Sequence, residues 1–542
     1  MIGAMAAPIE PKIKGPRNAR RKTGAALAAI VFASLTLVAG KRAYEYAAAP
    51  TREKDCDFVF PEPGGPPPTA IAAGAVDQPV ALVQRGGTIN DASCLNKTAI
   101  HGIVLVSSID DVRNALRFAR ERNLKVTSAG QRHSMGGQSF SRHGLVLDMR
   151  GLDGLALDTE KRLLTVQAGA TWEKVQQYLD KQGLAVKAMQ SINIFTVGGT
   201  LSVNAHGVAH RPGPIAPTVR SIRVMLADGE VKTASAHENP ALFRHVLGGY
   251  GLFGVILDAE IEVVANEMYR SERASVGYRD FPAHYRKHID GNRGIGLMYA
   301  RLSVAPTSYL EEVVVHTYEK ISYDGELPPL QPEGHTWLSR LVINFSKTGG
   351  FGRWVRWMVE KYAEPYVHIC LPRNQAMSRR EACLVSRNQE MYDSMKYLKN
   401  TLADTDILQE YFIPRERMPA FVDGLRVIVR ETGANLLNVT VRIVEKDDIT
   451  ALPYAKEDMF AFVLYFNQRL NEQDSKVLQR TTSDLIDLAL GLDGRFYLPY
   501  QLSYSPEQLH KAYPEIASFF STKKKVDPTG LFSNTFYEKY GT

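Results

Sequence analysis

The chain has 542 residues, more than one hydrophobic core serves, so roughly two to four domains are expected. Its 44% hydrophobic and 23% charged content is that of a folded protein and excludes a largely disordered chain. The formal charge of +7 belongs to the amino end: ten of the 65 basic and three of the 58 acidic residues lie in 1–54, leaving 55 of each beyond. The body is therefore neutral and offers no electrostatic footprint for nucleic acid.

Six basic residues from Lys12 to Lys22 precede GAALAAIVFASLTLVAG at 24–40, a run without charge. It is at the short edge of a membrane span and slightly long for a signal-peptide core. The expectation is a signal anchor, or a signal peptide cut near the alanines at 47–49. Either leaves 1–23 in the cytoplasm and the body on the far side, periplasmic or lumenal, tethered or secreted. The PEPGGPPP stretch at 61–68 makes 41–83 a stiff linker. Export would leave Cys56, Cys94, Cys370 and Cys383 oxidisable; three pairings are open, and Cys370 with Cys383, closing a short loop, is preferred.

Beyond the linker, strands are predicted over 103–106, 125–129, 145–149, 163–168, 219–226 and 255–263. Helices are predicted over 109–122, from an N-cap at Thr171, and over 241–247. Pro212, Pro214 and Pro217 exclude a helix around them. A second block reads as strands over 295–303, 311–317, 406–413, 436–443 and 459–465, with helices near 391–403, 418–432 and 473–490. Between 337 and 367 lies an amphipathic region carrying Arg353, Trp354, Arg356 and Trp357, read as a helix packed on its own domain rather than on a membrane interface. The reading is α+β: residues 84–268 a cofactor-binding unit, 269–490 a second α+β unit with an antiparallel sheet, and 491–542 a closing segment returning to the first.

Two glycine-rich segments carry the chemistry: SAGQRHSMGGQ at 128–138 and TVGGTLSVNAHG at 196–207. A diphosphate needs main-chain N–H groups brought close, and small residues permit that approach. The segments therefore nominate Ala129, Gly130, Gln131, Arg132, His133, Ser134, Met135, Gly136, Gly137 and Gln138, then Thr196, Val197, Gly198, Gly199, Asn204, His206 and Gly207, as cofactor contacts. GYGLFG at 249–254 matches the dinucleotide fingerprint, but the strand pattern that follows excludes a Rossmann site. Gly254 and Val255 are instead expected against the ligand. His206 and His210 are spaced H-x-x-x-H, yet the missing glutamate and Pro212 argue against zinc, and no metal is expected.

These segments resemble the vanillyl-alcohol oxidase superfamily of FAD-linked oxidases, with the p-cresol methylhydroxylase (PCMH) type of FAD-binding domain, from about residue 84 to the carboxyl end. The resemblance implies a two-subdomain FAD-binding domain plus a substrate (cap) domain. It implies FAD covalently held through His133, since G-Q-R-H-S at 130–134 has the form of the histidine that carries the flavin 8α-methyl group. Within the superfamily the chain looks most like the alditol, aldonolactone and decaprenylphosphoryl-ribose oxidases. N-A-H-G at 204–207 resembles their active-site step, QEYFIP at 409–414 and VRIVEKDD at 441–448 their substrate-domain strands. DPTGLFSN at 527–534 resembles the closing motif, bringing Asn534 to the cofactor. The chain departs where aldonolactone oxidases carry a glutamate two residues before the arginine, here Thr440. It departs again at GRFYLPY, 494–500, where Tyr497 and Tyr500 replace a histidine and a lysine.

The resemblance implies hydride transfer from a CH–OH carbon of a sugar-, polyol- or lactone-like substrate to flavin N5, with oxygen or a quinone-like acceptor reoxidising the flavin. His206 is the general-base candidate, Arg442 the fixed cation, and Tyr497 and Tyr500 line the pocket. A flavin-dependent C=C reductase and a non-catalytic flavin-fold binding module are the rival readings.

Overall fold

The computed structural model describes residues 80–323, 327, 329–330, 344–363, 384–392, 401 and 403–541, with isolated positions between 33 and 45. The uncharged run at 24–40 and the linker lie largely outside them, as do Cys56, Cys370 and Cys383. Among the described residues no helix is long and apolar enough to cross a membrane. Cys94 is disulfide-bonded.

The first layer is built from β1 (Leu82–Arg85), a small hairpin of β2 (Thr88–Ile89) and β3 (Thr98–Ala99), β4 (Gly102–Leu105), α1 (Ile109–Glu121), β5 (Val126–Ala129) and β6 (Leu145–Asp148). The strand order is β1-β4-β6-β5, with β6 parallel to both β4 and β5. Ser108 and Asp111 cap α1 reciprocally, and the helix buries Val112, Leu116 and Ala119. This sheet delivers the 130–138 segment at the end of β5.

A second, antiparallel sheet runs β11-β10-β12-β8-β7, from β7 (Leu155–Asp158), β8 (Leu163–Gln167), β10 (Val219–Met225), β11 (Val231–Ser235) and β12 (Val255–Ala265). Between β8 and β10 lie α2 (Trp172–Asp180), β9 (Leu184–Val186) paired with β12, and α3 (Val197–Ser202); α4 (Pro240–Val246) follows β11. Strand β12 stands directly behind the 249–254 glycines, as the pattern there predicts. The 196–207 segment is not a loop throughout, because Thr196 caps α3 through Oγ1 to Gly199 N.

From β13 (Met268–Gly277) onward the chain builds an eight-stranded sheet. Its other members are β14 (Ile295–Leu302), β15 (Glu312–Lys320), β16 (Leu384–Ser386), β17 (Asp404–Pro414), β18 (Asn435–Val444), β19 (Met459–Arg469) and β20 (Arg495–Phe496). The order β16-β13-β15-β14-β18-β19-β17-β20 is closed by antiparallel pairings. Strand alternation sends Ile407 and Tyr411 of β17 to helices α8 (Met418–Thr432) and α9 (Glu472–Gly491), where Tyr411 meets Phe421. The intervening Leu408 and Glu410 face the opposite way, toward the first two sheets.

Sequence periodicity missed β11 and β13, and also the short strands β1, β2, β3, β7, β9, β16 and β20. In β13 the run MYRSERASVG is buried at Met268 and Tyr269 and only partly buried or exposed on both faces beyond them, so no apolar alternation marks it. Of the helix predicted over 391–403, residues 391–392 end α7 (Arg387–Tyr392), Thr401 and Ala403 are not helical, and 393–400 and 402 lie outside the described residues. Of the amphipathic region, α6 (Gly350–Met358) packs on its own sheet. Trp357 is buried with its indole N–H donating to Glu312, and Arg356 donates to Leu437 O and Asn438 Oδ1.

Candidate functional site

The ends of β5 and α3, the 249–254 turn and the inner face of β17, β18 and β19 enclose one cavity of about 1410 Å³, including the space at its mouth. Its wall takes Ala129 to Met135 and Gln138 from the first glycine segment, and Thr196, Gly198, Gly199 and His206 from the second. Gly254, Arg442, Tyr497 and Tyr500 complete the predicted residues found there.

Seven predicted contacts stand behind that wall. Val197 and Val255 are core residues. Asn204, in the left-handed region, donates to Asp447 Oδ2 and accepts from Ala216 N, while Asn534 caps the last helix, α12 (Thr535–Tyr540), and donates to Tyr250 O. Gly136 and Gly207 are glycines for close packing: a Cβ on Gly136 would lie 2.3 Å from Tyr500 O, and one on Gly207 2.0 Å from Met189 O. Gly137 needs its φ of +75° and gives its N–H to Asp91. These residues shape the wall and do not line it.

His133 lies fully within the wall. Its Nδ1 is 2.9 Å from Gln131 O, to which it donates, and Nε2 has no hydrogen-bond partner. Burial pulls its pKa down to about 4, so the ring is neutral with a lone pair at Nε2. The preceding Arg132 has φ +52°, a strained conformation that holds the ring against Phe195, 4.3 Å away between centroids.

At the far end, His206 sits in an aromatic box of Phe412, Tyr454 and Tyr497. Its Nε2 is 2.6 Å from Glu410 Oε1, a close contact outside hydrogen-bond geometry, with side-chain exposures of 1% and 2%, and its Nδ1 has no hydrogen-bond partner either. Tyr500 reaches the other oxygen of Glu410 at 3.4 Å, and Arg442 spans to His206 O at 3.4 Å with Nε unbonded. Tyr497 gives its hydroxyl to Val203 O at 2.7 Å, which makes it a wall and positioning residue. Thr440 accepts from Asn438.

His210 faces away, with its ring nitrogens against Ile295 O and Tyr285 OH. Glu410 is the functional residue that sequence reasoning did not nominate. Its signal was a carboxylate on the apolar Leu408–Phe412 face of a strand, where an unpaired charge has no place. Ser191, whose buried Oγ is unpartnered, and Tyr250, at φ +55°, carried no pattern at all.

Residues 100–235 match the family described as FAD binding domain, and residues 298–540 the family described as D-arabinono-1,4-lactone oxidase. The chain is 22% identical to the L-gulonolactone oxidase of Bos taurus over 80% of its own length and 93% of that protein. It is 32% identical to cytokinin dehydrogenase 2 of Arabidopsis thaliana, over 33% of this chain and 36% of that one. It is 29% identical to a putative D-arabinono-1,4-lactone oxidase of Neurospora crassa, over 29% of this chain and 28% of that one.

Proposed function

Since the chain belongs to the FAD-linked oxidases of the p-cresol methylhydroxylase type and is an FAD-dependent oxidoreductase, we propose that it oxidises a CH–OH group of a sugar-, polyol- or lactone-like small molecule. The observation that carries the substrate reading is the buried His206–Glu410 pair beside Arg442, a proton acceptor and a fixed cation at one end of the cofactor cavity.

The cavity fits a flavin on its own terms. Gln131 Oε1, His133 Nε2 and Ser191 Oγ are buried polar atoms without partners on its wall, which a polar ligand would satisfy. A Cβ on Gly130 would fall 2.0 Å from Thr196 Oγ1, so the two segments close on one another only because that side chain is absent. When bound, the flavin accepts the hydride of an alcohol carbon at N5.

The chain's own residues supply the rest. The hydroxyl proton passes to His206, whose Nδ1 is free, while Glu410 at Nε2 stabilises the imidazolium that results. Arg442 offers Nε to the oxygen that loses its proton. The ring box of Phe412, Tyr454 and Tyr497 keeps water from the pair. His133 Nε2, neutral and unpartnered, supports a covalent link to the flavin 8α carbon.

The relatives named as oxidases favour dioxygen as the electron acceptor; a quinone-like acceptor would accompany a membrane tether. The Cys94 disulfide supports an oxidising compartment for the body, with 24–40 as its anchor or leader. The test is anaerobic mixing of the yellow protein with a panel of aldonolactones, alditols and NAD(P)H. Bleaching by a polyol or lactone supports this reading, and bleaching by NAD(P)H alone replaces it with the C=C reductase.

A further inference from the structure

The short segment from Asn90 to Asn96 precedes both regions that match known families, yet it is fastened to the His133 loop at three points. Ala92 N donates to Arg132 O at 3.0 Å. Asn96 Nδ2 donates to Met135 O at 2.8 Å, where Gln501 Nε2 also donates. Gly137 N donates to Asp91 Oδ2 at 2.9 Å.

Asp91 is the hub of this fastening. It is 1% exposed and accepts from Ser93 N, Ser93 Oγ, Asn96 Nδ2 and Gly137 N, at 3.0, 2.5, 2.8 and 2.9 Å. All four donors are neutral. The segment is itself anchored by Thr405 Oγ1 to Ser93 O and by the Cys94 disulfide, with Cys94 packed on Met135 and Tyr500. Burial lifts the Asp91 carboxyl to about 6, a cost that a purely structural turn would avoid with asparagine or serine.

We propose that Asp91 is the positioning residue for covalent flavin attachment, its carboxylate organising Ser93, Asn96 and Gly137 into a clamp that aims His133 Nε2. This rests on the reading of His133 as the flavin-linked residue. The link forms one N–C bond at Nε2 and breaks one C–H bond, with the proton passing to water and the electron pair to the flavin and then to dioxygen. Without the clamp, Arg132 and Gly137 lose the contacts that hold their positive φ, and Nε2 moves off line.

The experiment purifies wild type, Asp91→Asn, Asn96→Ala and His133→Ala, precipitates each with acid, and measures flavin in pellet and supernatant beside the thermal midpoint. The expected result is a covalent fraction reduced about tenfold in Asp91→Asn, with total flavin nearly kept and the fold intact. Asn96→Ala, which keeps the Asp91 carboxylate but removes one of its four donors and the tether to Met135 O, shows a smaller loss and decides the matter if Asp91→Asn does not fold. Wild-type-like covalent fractions in the folded Asp91 and Asn96 variants, with His133→Ala colourless in the pellet, overturn the clamp and keep the His133 link. A wild-type pellet without flavin overturns both.

Discussion

At the scale of single residues, the roles proposed for His206, Glu410 and Arg442 at one end of the cavity separate by substitution. Glu410→Gln preserves shape and removes the charge beside His206 Nε2. Loss of a proton-transfer partner is typically worth 10²–10⁴-fold, so the rate of flavin reduction by substrate falls by about that range while flavin content is unchanged. An unaltered anaerobic reduction rate would remove Glu410 from the mechanism. Arg442→Lys keeps the charge but loses the planar fork, and a greater loss in kcat than in KM is expected if the guanidinium meets the developing oxyanion. His210 serves stability instead. Burial depresses its pKa to about 4 from the ordinary value near 6.5, so the fold holds it neutral. Its contribution is complete above pH 6.5 and is lost as pH falls toward 4, up to roughly 3 kcal/mol. A pH series of thermal midpoints in His210→Gln should be flatter over that window than in wild type.

At the scale of elements, the site depends on chain segments that approach more closely than ordinary side chains permit. A Cβ on Gly207 would sit 2.0 Å from Met189 O, backbone against backbone, so Gly207→Ala forces one of the two segments to move. Overpacking of this kind costs roughly 1–3 kcal/mol, and the movement displaces the adjacent His206. The expected outcome is a lowered thermal midpoint together with slowed flavin reduction; a variant equal to wild type in both would show the contact to be soft. The sequence exposed these glycines but not their purpose. The two segments hold six glycines expected beside a diphosphate; Gly137 among them has a positive φ, and Gly130, Gly136, Gly198 and Gly207 serve close approach of chain to chain. Helix α3 was hidden because Thr196-Val-Gly-Gly is poor in helix formers and is held by its cap and by tertiary packing. Strands β12, β17, β18 and β19 were legible because their apolar runs are long. His206, Arg442 and the tyrosines were legible through motifs, and Glu410 was not nominated because its partner lies 204 positions away, at His206.

At the scale of the whole molecule, residues 523–535 back the cavity wall from the opposite end of the chain, and one buried ion pair anchors that turn. Asp527 accepts from Lys523 Nζ at 2.6 Å and from Leu531 N and Phe532 N at 3.0 and 2.8 Å, with Lys523 0% exposed. Burial alone would raise the Asp527 carboxyl, but the ammonium and the two N–H donors hold it below the usual range. This turn places Phe532 beside Val126 on β5 and Ser533 O against Thr127 Oγ1, just ahead of the His133 loop. Two residues later Asn534 holds Tyr250 O, and Thr535 Oγ1 holds Gly136 O. Removing the carboxylate charge leaves Lys523 buried and uncompensated, which costs about 3–5 kcal/mol, and replaces one of the two acceptor oxygens by an amide NH2 that must face the ammonium or a turn N–H. Asp527→Asn should therefore lower the thermal midpoint and release non-covalent flavin more readily. Lys523→Met, which leaves Asp527 its backbone donors and neighbours, should lose less of both. If acid precipitation and thermal unfolding place the two variants level, the turn does not transmit to the cofactor, and the closing motif stabilises its own helix alone.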